Sequence, residues 1–219
     1  GGARPRPSFE RGNAVEQIGN DSLAAASVYA LFASVLSNEP DAQQVERMGL
    51  LLEAAGAEAP GDVAVGEELV HRFHDRLVVA VSPLYVPAVE SCMADARQGE
   101  DGRLEPGHVD GRRMTEVLAC YRMYGFDPRV LNGFGPLVGS MRPDHLVAEL
   151  AFMAHLRRVQ ATENVRGRAA GAFAEEFLER HLRHWTPTLC AFARQRGDDV
   201  YVRLFDAAQR WVGLDAAAG

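Results

Sequence analysis

The chain has 219 residues, of which 47% are hydrophobic, and a formal net charge of −7. This length and hydrophobic content suit one domain with a substantial core, and the negative charge argues against general binding to nucleic acids or anionic membranes. All 23 basic residues are arginines, which excludes lysine chemistry such as Schiff-base formation or a P-loop.

The charge is unevenly divided along the chain. Residues 1–110 hold 8 arginines against 18 acidic residues, whereas residues 111–219 hold 15 arginines against 12 acidic residues. A basic partner is therefore the natural expectation for the front half. Acidic residues that only coat solvated helix faces would give the same counts, and this second interpretation stays open.

Cysteine usage and the N-terminal sequence indicate the compartment. Cys92, Cys120 and Cys190 are odd in number and form no Cys-x-x-Cys pair, which predicts reduced thiols in a reducing compartment. The first 21 residues lack the apolar stretch of a secretory signal, and the chain has no apolar run of about 18 residues. We therefore expect a cytoplasmic protein without stable membrane insertion.

Apolar residues at helical spacing predict helices along most of the chain. The polar residues 1–20 are predicted to be a disordered leader, and residues 21–215 a single helical domain. The predicted helices run from Asp21 to Asn38, from Asp41 to Gly56, from about Val65 to Ser82-Pro83, from Met114 to Gly125, from Pro143 to Gln160, from Arg168 to Trp185 with a break or kink at Pro187, from Thr188 to Arg196, and from Asp198 or Asp199 through Trp211.

Two long segments between these helices are predicted to be loops of different kinds. Gln98 to Asp110 is rich in Gly, Glu and Asp and should be exposed. Phe126 to Met141 has two prolines and three glycines among bulky apolar residues, which predicts an ordered loop packed on the core. Since neither strand alternation nor an internal period appears, the fold class is predicted as all-α, a single-domain irregular helical bundle.

Patterns for catalysis or metal binding are weak. Glu68-x-x-His71 has a spacing used in di-iron bundles, but such sites need a second copy, and the sequence offers no convincing one. His181 and His184 lie among arginines, which favours an ordinary charged surface. Because nucleophile, dinucleotide and P-loop signatures are missing as well, we predict a binding protein, with no catalytic residue, no metal and no cofactor.

The segment Arg142-Pro143-Asp144-His145 is the best functional marker. Pro143 suits a first helical position, and Asp144 in the first turn would complement the positive helix end. His145 and Glu149 lie four apart, and Phe152 continues the same side. This polar-to-apolar stripe could line a groove for a partly charged, partly apolar peptide. Helical periodicity alone is also compatible with the alternative that these side chains pack in the core with their hydrogen bonds satisfied and form no binding site.

These residues also carry a resemblance. The segment Pro143-Asp144-His145-Leu146-x-x-Glu149-Leu150-x-Phe152-Met153-x-x-Leu156 resembles the TorD/DmsD/NarJ family of maturation chaperones for molybdenum-cofactor enzymes. Only one proline stands at Val86-Pro87, where the family often has two. Four further segments in the family's order extend the resemblance to roughly residues 20–190: Tyr29-x-Leu31-Phe32, Tyr85-Val86-Pro87-Ala88-Val89-Glu90-Ser91, Tyr124-Gly125-Phe126 and Phe177-Leu178-x-x-His181-Leu182-x-x-Trp185.

The resemblance implies a TorD-like helical fold and a system-specific chaperone that works in the cytoplasm. Such a chaperone binds the catalytic subunit of a molybdenum-cofactor oxidoreductase, and in many members its twin-arginine signal peptide. It assists cofactor insertion and holds back export until maturation. The residues implied in peptide or client binding are Tyr85, Pro87, Glu90, Ser91, Pro143, Asp144, His145 and Glu149, to which we add Arg142 and Phe152.

We assign hypothetical roles to four of these side chains. Asp144 and Glu149 would meet leader arginines, His145 would bond to the peptide backbone, and Phe152 would floor an apolar groove.

Two other functions stay open from the sequence. One is a metal-dependent helical enzyme that uses His145 and Glu149, and the other is a scaffold bundle that recognises a folded partner. A monomer and a domain-swapped dimer are both compatible with the sequence, because helical hairpins can be exchanged between protomers.

Overall fold

A buried helix, Leu146–Gln160, forms the centre of the computed structural model. The structure describes residues 8–56, 65–109, 111–162 and 164–218, with side chains from residue 21 to residue 217. This helix buries residues on all its sides, as expected of an element covered by neighbours in every direction.

The described chain is almost entirely helical, which confirms the predicted all-α bundle. One two-stranded antiparallel ladder interrupts it, β1 (Arg97–Gln98) with β2 (Leu104–Glu105), within the segment predicted as an exposed loop. The helices are α1 (Ser8–Ser37), α2 (Ala42–Ala54), α3 (Glu67–Leu77), α4 (Glu90–Ala94), α5 (Gly111–Tyr124), α6 (Gly135–Gly139), α7 (Leu146–Gln160), α8 (Val165–Phe177), α9 (Arg183–Arg194) and α10 (Val200–Ala218).

Helix α7 packs chiefly against α1 and α8, and α10 packs against α9 and α2. Small side chains of α1 and α7, among them Ala33 and Ala151, line a cavity of about 450 Å³ beside the contact between these two helices. Within the described residues, every helix is too short or too polar to cross a lipid bilayer.

Local capping explains why two helices begin where the sequence predicts. The side chain of Asp41 accepts a hydrogen bond from Gln44 N at 2.8 Å and caps α2. The side chain of Asp199 accepts hydrogen bonds from Tyr201 N and Val202 N at 3.0 and 3.2 Å and caps α10. Both predicted starts are confirmed.

Helix α1 begins at Ser8 rather than at Asp21. Extending an existing helix fixes one residue for each added hydrogen bond, so a helix anchored in the core can continue through a polar segment. Residues 1–7 lie outside the described residues. The division of the chain into a leader and one domain therefore stays a prediction.

The predicted start of α7 at Pro143 is wrong. The helix begins at Leu146, and His145 is its N-cap, with Nδ1 accepting from Val147 N at 3.2 Å. His145 itself is extended and pairs with Val89 in an antiparallel bridge, while Pro143 and Asp144 before it form a turn closed by the 3.1 Å hydrogen bond from His145 N to Arg142 O. Pro143 and Asp144 are thus not in the first turn of α7, and the Asp144 carboxylate accepts instead from Ser91 N in the first turn of α4.

Helices α8 and α9 are joined by a π-helical turn, Leu178–Leu182, and Pro187 lies inside α9. A proline cannot donate to the carbonyl four residues back, which is why the sequence predicted a break. Helix α9 nevertheless runs from Arg183 to Arg194 without interruption, and the Thr186 hydroxyl donates to Leu182 O in the π turn at 2.7 Å. The helical path therefore continues through the proline.

The segment 126–141 is ordered and packed on the core, as predicted. It contains a 3-10 turn, Pro128–Val130, and the short helix α6. Phe134 N donates to Ser37 O at 2.7 Å, which fixes the segment to the end of α1. Gly133 allows this approach, because a Cβ there would lie 2.7 Å from Ser37 O.

Candidate functional site

The two segments singled out from the sequence lie side by side in the fold. Glu90 N donates to Asp144 O at 2.8 Å, and Leu146 N donates to Ala88 O at 2.9 Å. Together with the isolated bridge between Val89 and His145, these bonds hold residues 88–90 against residues 144–146. The candidate residues therefore form one region although they are more than 50 positions apart in sequence.

The Asp144 carboxylate is the polar centre of this region and is completely buried. Its Oδ2 accepts from Ser91 Oγ at 2.7 Å and from Ser91 N at 3.3 Å. Its Oδ1 accepts from Arg142 Nε at 3.1 Å. A buried carboxylate needs such partners, since an unpaired charge in the interior is strongly unfavourable.

Glu90, also completely buried, connects three helical elements. Its Oε1 accepts from Arg113 Nη1 of α5 at 3.0 Å, and its Oε2 lies 2.9 Å from His181 Nδ1 in the π turn. The His181 ring stacks on Phe177 with centroids 4.6 Å apart. The expectation that His181 lies on a charged surface is wrong, because the π turn directs this residue into the core.

Glu149 on α7 is buried close to Glu90. Burial, followed by the negative charge of Glu90, raises the pKa of the Glu149 carboxyl well above its ordinary value. Trp185 Nε1 donates to Glu149 Oε2 at 3.1 Å. Burial thus favours the protonated, uncharged form of this carboxyl, which disfavours a charged contact with an arginine.

His145 is neutral in the folded protein. Burial lowers the pKa of the His145 ring to about 4, although the neighbouring Asp144 charge acts in the opposite direction. Since Nδ1 accepts from Val147 N, the single proton of the neutral ring is on Nε2. The ring can thus donate one hydrogen bond from Nε2.

Phe152 lies behind these polar groups in an aromatic cluster. Its ring centroid is 4.7 Å from that of Tyr121, 5.0 Å from that of Phe177 and 5.4 Å from that of Phe126. The Tyr121 hydroxyl donates to Pro143 O at 2.8 Å, and burial raises its pKa well above the ordinary value. The cluster supports the Pro143 segment from the inside.

Two cavities open this region to solvent. The first, which we call the Tyr85 cavity, has a volume of about 120 Å³ and is lined by Tyr85, Val89, Met141, Arg142 and His145 together with the end of α3 and α6. The second, the α5 cavity, measures about 920 Å³ and lies between α5 and the segment 126–143. Met141 lines both cavities, which meet at the candidate segment.

The structure brings the ten predicted binding residues together but gives them unequal access to solvent. Tyr85, Pro87, Arg142 and Pro143 are half-buried. The other six are buried: Glu90, Ser91, Asp144, His145, Glu149 and Phe152.

In this structure a peptide could reach the half-buried group directly and the buried group only after a rearrangement. Contact between these residues and a client stays a prediction.

Sequence reasoning missed three polar partners of the buried carboxyls. His181 and Trp185 belong to the segment from Phe177 to Trp185 that carries part of the resemblance, so a signal for them was present. Arg113 had no such signal. Within the part of the chain that the structure describes, no group of three or more His, Cys, Asp or Glu side chains is arranged to hold a metal ion.

Comparison with known proteins gives one family. A family model described as the nitrate reductase delta subunit matches residues 38–191, which is more than half of the chain. The matched range runs from the end of α1 into α9 and contains every residue of the candidate site. Neither the curated proteins nor the solved structures gave a significant match.

Proposed function

Because the chain belongs to the nitrate reductase delta subunit family, which confirms its resemblance to the maturation chaperones, we propose that it binds the catalytic subunit of a molybdenum-cofactor oxidoreductase. Binding takes place in the cytoplasm and includes the twin-arginine signal peptide of the client. The chaperone assists cofactor insertion and holds back export until the cofactor is in place. Family membership points to this role rather than to catalysis.

The observation that carries the proposal is the junction of the two family segments around Asp144, with the Tyr85 cavity beside it. A twin-arginine leader combines arginines with an apolar stretch. The cavity has an apolar wall from Val89 and Met141 and a volume that suits one medium-sized apolar side chain. Extended peptides bind in this way, with backbone contacts for affinity and side-chain pockets for specificity.

The half-buried residues are the ones we assign to direct client contact. Tyr85 and Arg142 line the Tyr85 cavity, Pro143 lines the α5 cavity, and Pro87 follows Tyr85 two residues along the chain. The buried residues Ser91 and Asp144 join the two family segments through their 2.7 Å hydrogen bond.

Calorimetric titration tests this assignment. The probe is a synthetic leader-like peptide with two adjacent arginines followed by a stretch of leucines and alanines. Tyr85→Ala should weaken its binding about tenfold or more, because buried aromatic anchors carry much of the affinity at peptide interfaces. Val130→Ala, at an exposed residue outside the Tyr85 cavity, is the control and should bind like the wild type. Equal affinities for the wild type and Tyr85→Ala would remove the Tyr85 cavity from the site.

A further inference from the structure

Asp144 is a buried carboxylate whose two oxygens have different kinds of partner. Oδ2 is bound by Ser91, a fully buried residue of α4. Oδ1 is bound by Arg142, whose side chain is 30% exposed and lines the Tyr85 cavity. One oxygen is thus fixed from inside the protein, whereas the other is held by a group that reaches in from the cavity.

The position of Arg142 permits exchange with another guanidinium. Arg142 precedes α7 in an irregular stretch, two residues before the carboxylate that it binds. Loss of this cation without replacement would leave a buried charge unpaired, which is strongly destabilising. Replacement by a second guanidinium keeps the charge paired in the same geometry.

Arginine suits this exchange better than lysine. A guanidinium is planar, weakly hydrated and able to present several N–H groups to a carboxylate, whereas an ammonium is compact and strongly hydrated. Moving an ammonium from water to a buried carboxylate is therefore more costly than moving a guanidinium there. A site built around Asp144 Oδ1 should distinguish the two side chains.

A second pair in the same molecule has similar spacing but different surroundings. Arg129 binds Asp127, also two residues away, with an Nη2 to Oδ2 distance of 2.8 Å. Its side chains are 87% and 40% exposed, so water screens the pair and exchange there has little consequence. Arg129 is therefore a matched control for Arg142.

We propose that Arg142 is an internal substitute for a client arginine: when a leader binds, Arg142 leaves Asp144 Oδ1 and a leader guanidinium takes its place through the Tyr85 cavity. This proposal rests on the proposed function, since it presumes that the leader binds at this site. It gives Asp144 the arginine-binding role predicted from the sequence, which its burial in this structure otherwise prevents.

The experiment titrates the full chain with two peptides that differ only in the adjacent pair, Arg-Arg or Lys-Lys, ahead of the same apolar stretch. The wild type should bind the arginine peptide at least about tenfold more tightly. Arg142→Ala removes the internal competitor and should bind the arginine peptide about tenfold more tightly than the wild type does. In Arg142→Lys the internal competitor is weaker but keeps its charge, so the affinity of this variant for the arginine peptide should lie between those of the wild type and Arg142→Ala. This variant serves as the test if Arg142→Ala does not fold.

The outcomes separate this proposal from the one on which it rests. If neither peptide binds the wild type, leader binding fails and the exchange with it. If both peptides bind equally well, or Arg142→Ala changes the affinity less than twofold, leader binding stands and the exchange is overturned. Arg129→Ala should have no effect, and an increase as large as that of Arg142→Ala would mean a general charge effect and would also overturn the exchange.

Discussion

Acid should destabilise this protein through His145. Burial lowers the pKa of the ring from its ordinary value of 6.5 to about 4, so the unfolded chain takes up this proton at a higher pH than the folded chain does. The stability that the neutral ring contributes is therefore present above about pH 6.5 and is lost as the pH falls through 4. At ~1.4 kcal/mol for each pH unit, the loss amounts to about 3 kcal/mol.

The contacts of the ring explain the cost of charging it. A proton on Nδ1 would abolish the bond from Val147 N, which caps α7. It would also put a positive charge at the positive end of that helix. The Asp144 charge offsets part of this effect but is outweighed by burial.

Urea unfolding of the wild type and His145→Asn at several values between pH 7 and pH 4 measures this contribution. Asparagine is a good N-cap residue and does not titrate in this range. The difference in unfolding free energy between the two proteins should shift by about 3 kcal/mol in favour of His145→Asn as the pH falls from 7 to 4. Glu149 contributes in the opposite direction, but this contribution largely cancels because both proteins contain Glu149. His71→Asn, at an exposed position of α3, is the control and should follow the wild type. A difference that stays constant within about 0.5 kcal/mol would refute the burial argument.

Four further substitutions test the fold and its buried charges. Glu149→Gln should gain stability relative to the wild type as the pH rises above about 4.5, because the raised pKa of Glu149 means that the stability contributed by its protonated carboxyl is lost on the alkaline side. Urea unfolding of both proteins at pH 4.5 and 7.5 measures this difference, and an unfolding free energy that changes equally in both would contradict it. Arg76→Ala should cost about 3 kcal/mol in unfolding free energy, since it removes a buried guanidinium that bonds to Asp199 at 2.8 Å and donates to the carbonyls of Leu84 and Gly197. A loss below about 1 kcal/mol in urea unfolding would show that these bonds matter little. Gly125→Ala should lower the unfolding free energy by about 1 kcal/mol because the φ of Gly125 is +70°, whereas Gly213→Ala in α10 should raise the unfolding free energy. Thermal unfolding that ranks the two variants the other way would contradict the backbone argument.

The sequence predicts those parts of the fold that depend on neighbours along the chain. Helix α2 begins after Asp41 and α10 after Asp199 because each aspartate caps its own helix, and such signals are local. The start of α7 is different. Proline chemistry favours Pro143 as the first helical residue, but Pro143 and Asp144 form a turn and His145 pairs with Val89, so the helix begins only at Leu146. Val89, the partner of His145, comes from a distant segment.

The same limit applies to the candidate site. His145 and Glu149 lie four apart on the polar-to-apolar stripe predicted to line a peptide groove, whereas the structure buries both side chains. Glu149 lies close to Glu90, and both carboxyls have partners from other helices. Arg113, His181 and Trp185 approach them from α5, the π turn and α9, and helical periodicity contains no information about which faces meet. The residues singled out from the sequence lie together in the fold, but their access to solvent was not predictable.

The central claim is that this chain binds the immature catalytic subunit of a molybdenum enzyme. Affinity purification of the tagged full chain from its native host, with and without a block in molybdenum-cofactor synthesis, tests it most directly by mass spectrometry. A molybdoenzyme catalytic subunit should copurify in stoichiometric amount, and more of it should be recovered when cofactor synthesis is blocked. Recovery of no such subunit under either condition would contradict the account.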